Sequence, residues 1–485
     1  MSLSSLNRSH SARVLLVSAN RERQPYPVVP NGLACVASAL DRAGHQIRFL
    51  DLCFERDPAG AVRRAAEDFN PEIAGVSVRN IDNSDAIALK HYVPEASAVF
   101  TALRNAAPSA KIIAGGAAFG VAPESLFTRL GVDYAVAGDG ERASVSLVNA
   151  IARGNDIAPI PGLVRQVGEH VHFAPPGEDA KLDDLPSPRL HRWIDLRRYE
   201  RHGATIPIQT KRGCVYRCVY CTYQNVEGWG YRTRDPELVA DEIEELWREA
   251  RVKSFDFVDS TFNSPPGHAL DVCEAIIRRN TGVHLDTTNF TPAAASGELL
   301  SAMRRAGFRT LGITAESASD DVLERLGKGF TASKARETAE RVERAGIRAL
   351  WIFLVGGPGE TSRTLEETLR FAEWRLERGD AVYVTVGLRI YPGTTLQRIA
   401  ISEGAISADA TLLDPTFYFS PALRFDDAVT RIRQFAAKYP RFMFSADSRS
   451  RILPWLTRAA SIMRLPKPHW QYMGIFQSLS RATAW

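Results

Sequence analysis

No run of apolar residues in this sequence approaches the roughly 20 needed to cross a bilayer as a helix, so a transmembrane segment is not expected. Neither sign of charge is in excess, with 60 Lys and Arg against 56 Asp and Glu. So even a balance does not point to a nucleic-acid partner. The opening stretch, Met1 to Arg13, is polar and Ser-rich and lacks the apolar centre of a secretory signal. A cytoplasmic, reducing location is therefore expected, where a disulfide framework is not. Cysteine is scarce, at six in 485 residues, yet three of the six fall within eight positions. The other three, Cys35, Cys53 and Cys273, sit alone in apolar patterns and read as small buried hydrophobes. Otherwise the chain, 45% hydrophobic and 24% charged, has the composition of a globular protein of about two to four domains.

Residues 1–150 alternate continuous apolar runs with helical periodicity. The runs are Val14–Ala19, Ile47–Leu50, Ile73–Val78, Ile112–Ala114 and Tyr134–Ala137. Buried parallel strands in a doubly wound, Rossmann-like sheet have this pattern. Right-handed crossovers gather the strand C-terminal ends on one edge, where Gly115-Gly116 and Gly138-Asp-Gly140-Glu141 fall. Residues 151–204, rich in Pro turns, read as a linker with some short strands. A second α/β series occupies 205–405, with strands expected at Thr205–Lys211, Ser254–Asp259, Val283–Thr287, Phe308–Ile313, Arg348–Val355 and Val382–Leu388. Six β/α units predict a partial (β/α)6 barrel with its site at the strand C-terminal ends. From 406 to 485 the pattern turns helical and aromatic, including Trp455, Trp470, Tyr472, Phe476 and Trp485, and reads as a mostly helical cap.

The chemistry concentrates in Lys211-Arg-Gly-Cys214-Val-Tyr-Arg-Cys218-Val-Tyr-Cys221, directly after the first barrel strand. Three thiolates spaced C-x3-C-x2-C can hold three corners of a cubane cluster and leave the fourth iron open. A closed zinc site needs four ligands, usually as paired ligands at short spacing. No second Cys or His pair follows; the nearest histidines in sequence are His202 and His268. Cys218–Cys221 is also a formal redox C-x-x-C, which leaves Cys214 and the barrel unexplained.

A C-x3-C-x2-C loop after the first strand of a partial barrel resembles the radical S-adenosylmethionine (SAM) superfamily. The resemblance implies a [4Fe–4S] cluster on Cys214, Cys218 and Cys221, with SAM chelating the open iron. It also implies SAM contacts from Tyr220, from Glu316 and Ser317 in Gly312-Ile-Thr-Ala-Glu-Ser, from Gly356 and Gly357 in Gly356-Gly-Pro-Gly-Glu-Thr361, and from Arg389 and Tyr391 in Arg389-Ile-Tyr-Pro-Gly-Thr394. A Rossmann-like domain before such a barrel is similar to the cobalamin-binding subfamily. That implies cobalamin held by Ser77, Arg79, Gly115, Gly116, Gly138, Gly140 and Glu141, with Asn80 and Asn83 also near the ring. The chain departs from the D-x-H-x-x-G cobalamin motif: the loop after the first strand reads Ser18-Ala-Asn-Arg-Glu-Arg-Gln-Pro-Tyr-Pro. His45, at a helix–strand turn expected to be exposed, is no substitute.

The expected activity is reductive cleavage of SAM to modify a biosynthetic small molecule, first of all cobalamin-dependent C-methylation of an unactivated carbon. The alternatives are transfer of the 3-amino-3-carboxypropyl group, as to arsenic in arsinothricin biosynthesis, a radical cyclisation or rearrangement, and, from another class, a non-catalytic metal-binding protein. An external donor of flavodoxin or ferredoxin type is expected. The polar groups of Asp256-Phe-Val-Asp259-Ser-Thr-Phe-Asn263, at the second strand's end, are expected to reach SAM or substrate, or Asp259 merely to cap a turn. Substrate contacts are expected from Asp286–Asn289, Phe417–Phe419 and the C-terminal aromatics; no catalytic acid, base or nucleophile is singled out.

Overall fold

The computed structural model describes residues 11–157, 160–177, 181–444, 459–461, 463, 465 and 467–472. Of the aromatics expected in the cap, Trp455, Phe476 and Trp485 lie outside the described residues.

Strands β1 (Arg13–Ser18), β2 (Gln46–Asp51), β3 (Ile73–Ser77), β4 (Lys111–Gly115) and β5 (Tyr134–Val136) form a parallel sheet in the order β2-β1-β3-β4-β5. The apolar runs are continuous because both faces are covered. Helices Asn31–Arg42 and Gly140–Arg153 pack one face; Pro58–Phe69 and Val93–Ala106 pack the other. Much of the expected linker belongs to this sheet. Strands β6 (Leu163–Val167) and β7 (His170–Phe173) form a hairpin that pairs antiparallel with β5. Gly168, at φ 59°, makes the tight turn between them; its φ is in the left-handed region that glycine tolerates.

The second unit begins with β8 (Ile206–Ile208), followed by the short antiparallel pair β9 (Lys211–Arg212) and β10 (Arg232–Thr233). Strands β11 (Ser254–Phe257) and β12 (His284–Thr287) pair parallel with β8 in the order β12-β11-β8. Strands β13 (Thr310–Glu316), β14 (Arg348–Val355) and β15 (Ala381–Val386) continue the barrel. Parallel bridges Leu285–Phe308 and Phe290–Ile313 join the two groups. Six strands thus stand where six were expected, and helices between them bury Trp351, Phe353 and Phe308 in the main core. The expected cap contributes more than helix. Strand β16 (Leu388–Arg389) pairs antiparallel with β17 (Phe417–Tyr418), and β18 (Phe442–Phe444) adds a seventh parallel strand beside β15. The helix Phe425–Lys438 returns the chain to that edge.

Local signals behave as their chemistry requires. Asp235 accepts from the Glu237 N–H and Pro236 opens the helix that follows, the usual N-terminal arrangement. Gly307, at φ 120°, ends another helix; a Cβ there would lie 2.4 Å from the Val283 carbonyl. His45 differs from expectation. It is buried, not exposed, and its Nδ1 accepts from the Ala12 N–H at 3.2 Å. That position is beside the start of β1, at the opposite edge of the sheet from the glycine turns.

Candidate cofactor and substrate site

The cysteine loop is held from below by a buried ion pair. Asp259 Oδ1 accepts from the backbone N–H groups of Thr210 (2.7 Å) and Lys211 (3.2 Å). Its Oδ2 accepts from Thr210 Oγ1 (2.6 Å) and Lys211 Nζ (3.0 Å). Both partners are fully buried. With four hydrogen bonds already made, Asp259 acts as a structural tie rather than a ligand contact. Gly213 sits at φ 87°, where a Cβ would lie 2.1 Å from the Gly230 carbonyl. Val219 N–H donates to the Leu326 carbonyl at 3.0 Å, anchoring the loop's far side.

Cys214, Cys218 and Cys221 all carry free thiols, Cys214 buried and the other two partly exposed. Three thiols on one short loop, with no fourth protein ligand in the motif, are a donor set that fits three corners of an iron–sulfur cubane. The other three cysteines are buried, as expected; Cys53 and Cys273 lie in the hydrophobic core, while Cys35 lines a cavity at the edge of the first domain's sheet.

Beside this loop lies a buried polar triad. Tyr220 OH donates to Glu316 Oε1 at 2.9 Å, and Lys328 Nζ donates to the same oxygen at 3.3 Å. Burial works against the Lys328 charge, but the Glu316 carboxylate together with Cys218 and Cys221 holds the ammonium's pKa above its ordinary value. Glu316 Oε2 is enclosed and has no partner. Glu316 also has φ 64°, a strained conformation for a non-glycine residue that tends to mark functional positions. A carboxylate oxygen left without a donor in such a place fits the amino group of SAM. Lys328 itself carried no sequence signal beyond following a helix-ending glycine.

The other residues expected at SAM make contacts within the protein. Ser317 is fully buried and its hydroxyl is used inside the turn, with Thr368 at 3.2 Å and the Ser319 N–H at 3.1 Å. Gly356 and Gly357 donate to Glu360 Oε2 at 2.5 and 3.2 Å. The Phe419 ring fills the space where a Gly356 Cβ would be. Arg389 and Tyr391 face the first domain. Arg389 Nε pairs with Asp82 at 2.7 Å, and its other nitrogens donate to the Ile390, Thr416 and Leu412 carbonyls. Tyr391 OH lies 2.7 Å from Ser84 Oγ. Their donors are consumed at the domain seam, a placement the strand-six resemblance did not foretell.

The glycine turns of the first domain do converge. Ser77, Arg79, Gly115, Gly116, Gly138, Gly140 and Glu141 all line one cavity of about 350 Å³ at the C-terminal edge of the sheet. Its inner end runs between the sheet and helices Asn31–Arg42 and Gly140–Arg153, against Leu16, Leu33, Val36, Ile113 and Val148. Its barrel wall is Pro207, Gln209, Arg212, Glu227 and Val258. At Gly116 (φ 97°) a Cβ would lie 2.5 Å from the Val78 carbonyl; at Gly140, 2.9 Å from Val36. An apolar slot with a bare-backbone mouth fits an elongated ligand with a flat apolar end, as a corrinoid's nucleotide tail is. Arg212 joins the mouth to the cysteine loop: it pairs with Glu141 (2.6 Å) and Asp139 (3.1 Å), and Arg232 pairs with Asp139 at 2.5 Å. Burial would raise the Asp139 pKa, but these two arginines hold it below the ordinary carboxylate value. Glu227 on the barrel wall is pushed up to about 7 by burial.

Fold and site together define an iron–sulfur barrel enzyme with a corrinoid-type domain in front. Comparison with known proteins agrees. The profile of the radical SAM superfamily matches residues 208–372, and that of the B12 binding domain matches residues 18–148. An uncharacterized methyltransferase of Pyrococcus horikoshii is 27% identical over 381 residues, 78% of this chain and 79% of the relative. Tryptophan 2-C-methyltransferase of Streptomyces laurentii is 27% identical over 448 residues, 78% of this chain and 73% of the relative. The structure of the radical SAM methyltransferase TsrM from Kitasatospora setae, with cobalamin and a [4Fe–4S] cluster bound, has the same fold: TM-score 0.84, 24% identity, covering 97% of this chain and 99% of that one. The chain belongs to the radical SAM superfamily, in its cobalamin-binding subfamily.

Proposed function

We propose that this chain is a cobalamin-dependent methyltransferase that methylates an unactivated carbon of a biosynthetic small molecule. The observation that carries the reading is the seam cavity. Seven cobalamin-type contacts line it from the first domain, and Arg212, two residues before Cys214, lines it from the barrel. A corrinoid there and a cluster on the loop are thereby neighbours. When bound, the cluster supplies an electron to SAM and the corrinoid carries the methyl group.

The chain's own residues bind and orient. Cys214, Cys218 and Cys221 would hold the cluster, and three protein ligands would leave it a site for SAM. Glu316 Oε2 would accept from the amino group of SAM, with Lys328 Nζ and Tyr220 OH fixing the carboxylate's orientation through its other oxygen. Gly116 and Gly140 let the corrinoid tail approach backbone, and Arg79 stands at the cavity mouth. The electron comes from an external donor of flavodoxin or ferredoxin type. A cytoplasmic location fits this redox chemistry. Among the described residues no helix is long and apolar enough to cross a membrane.

Anaerobic reconstitution with iron, sulfide, cobalamin, SAM and reductant tests the reading. S-adenosylhomocysteine together with 5′-deoxyadenosine is expected. 5′-Methylthioadenosine would instead mean transfer of the 3-amino-3-carboxypropyl group. 5′-Deoxyadenosine without S-adenosylhomocysteine would mean cyclisation or rearrangement. Cys214→Ala should abolish all SAM cleavage.

A further inference from the structure

The barrel interior holds a second polar centre, separate from the Tyr220–Glu316–Lys328 triad. Asp256 on β11 and Asp286 on β12 are register partners on adjacent parallel strands, so their side chains leave the same face. That face is the inner one. Pro207, the register partner of Asp256 on β8, and Val258, two residues further along, both line the seam cavity. Asp286 is 5% exposed, and Thr310, fully buried, stands beside it. Asp256 Oδ1 is closed off from solvent and has no hydrogen-bond partner; the Thr310 hydroxyl likewise lacks a well-aligned one. Asp286 takes the N–H of its own neighbour Thr287 at 2.9 Å.

No cation answers these carboxyls among the described residues. The charged groups felt by Asp256 are Asp286 and Asp259, and Asp259 is already neutralised by Lys211. Tyr26, on the loop after β1, is close enough to feel both carboxyls and also Arg79, and burial first and then the carboxyls hold its phenol above its ordinary pKa. Two uncompensated acids inside a barrel cost stability that an apolar pair would not. Burial pushes Asp286 up to about 7, and burial together with the neighbouring Asp286 and Asp259 raises Asp256 well above the ordinary carboxylate value. An orphaned, enclosed acceptor beside a second acid is satisfied by a small cation that brings N–H donors. An ammonium meets all of these needs.

We propose that Asp256 and Asp286 form the subsite for a protonated amine of the substrate. The word substrate here rests on the methyltransferase reading; the ammonium site itself does not. The substrate class is therefore an aminated small molecule, seated with its cationic end on the barrel floor and the rest of it toward the seam.

The test uses holoprotein reconstituted anaerobically and ligand-observed NMR with three probes of one size: benzylammonium, benzyl alcohol and benzoate. Benzylammonium should bind about tenfold or more tightly than benzyl alcohol, and benzoate more weakly than either, as the worth of a charge-assisted hydrogen bond implies. In D256N/D286N the preference for the ammonium should vanish while benzyl alcohol binds as before, with iron content and SAM binding retained as the check on folding. If the double variant does not retain iron, D256N alone gives the same reading. Equal binding of ammonium and alcohol to the natural protein, or a preference that survives the substitutions, overturns the proposal and leaves a closed pair of buried acids. Loss of S-adenosylhomocysteine formation with the ammonium preference intact would count against the methyl-transfer reading alone.

Discussion

Arg212 donates to both carboxylate oxygens of Glu141, at 2.6 and 3.1 Å, across the seam between the two domains. One partner begins the helix under the corrinoid-type cavity; the other stands two residues ahead of the first cluster cysteine. The bidentate geometry fixes distance and orientation together. It makes the two cofactor sites parts of one structure.

Removing Glu141 takes away the two-pronged partner of a largely buried guanidinium and leaves it Asp139 alone, which costs up to about 3–5 kcal/mol. Glu141→Ala should lower the thermal midpoint clearly and reduce the cobalamin that co-elutes in gel filtration. Glu141→Leu combined with Arg212→Met should recover much of the stability but not the cobalamin. Absorbance of the corrinoid beside a melting curve reads both.

Glu316 Oε2 is enclosed and unpartnered, and under the proposed function it receives the SAM amino group. Glu316→Gln removes the charge and keeps the shape, so SAM affinity should fall by about tenfold or more while iron content stays constant. Isothermal titration on reconstituted protein measures it. Unchanged affinity would remove Glu316 from the SAM site.

Asp82 and Arg389 are almost entirely buried, 2.7 Å apart, and join the first domain to β16. Asp82→Ala should destabilise the protein by about 3–5 kcal/mol by stranding the guanidinium. If Arg389 is structural rather than a SAM contact, Arg389→Met combined with Asp82→Ala should restore most of the stability and retain SAM binding. A double-mutant cycle in chemical denaturation separates these outcomes.

Glu360 is fully buried, accepts from the Gly356 and Gly357 N–H groups, and is raised by burial to about 7. A carboxyl with a raised folded pKa binds more protons in the folded state, so stability falls as pH rises. The contribution is complete below about 4.5, the unfolded value, and is lost as pH passes through about 7. Glu360→Gln should flatten the dependence of the melting midpoint between pH 5.5 and 8. A slope equal to that of the natural protein would assign the effect to another group.

Much of the fold was legible because its elements signal locally. Continuous apolar runs such as Val14–Val17 mark strands buried on both faces, and Asp235-Pro236 marks a helix start. Strand β18 was not legible. Phe442-Met-Phe444 is three residues long, and its pairing with Val382–Val384 depends on where the preceding helix ends. The hairpin β6–β7 was equally hidden among Pro turns. Of the site residues, the cobalamin-type set came together because strand ends and glycines share one sheet edge. Arg389 and Tyr391 parted from the expected set because their partners, Asp82 and Ser84, lie more than 300 positions away.

The sequence by itself determined the class of chemistry, since a trio of cysteines in eight residues brings its ligands together by chain connectivity alone. It also determined the two alternating α/β units, because periodicity is a property of neighbours along the chain. Only the tertiary structure decided that Lys328 completes a triad with Tyr220 and Glu316, that Arg212 fastens the two cofactor sites, and that Asp256 and Asp286 share one barrel face. Those relationships depend on which strands stand side by side and how the domains dock. Side-chain charges far apart in the chain acquire their meaning only when burial removes the water that would otherwise screen them.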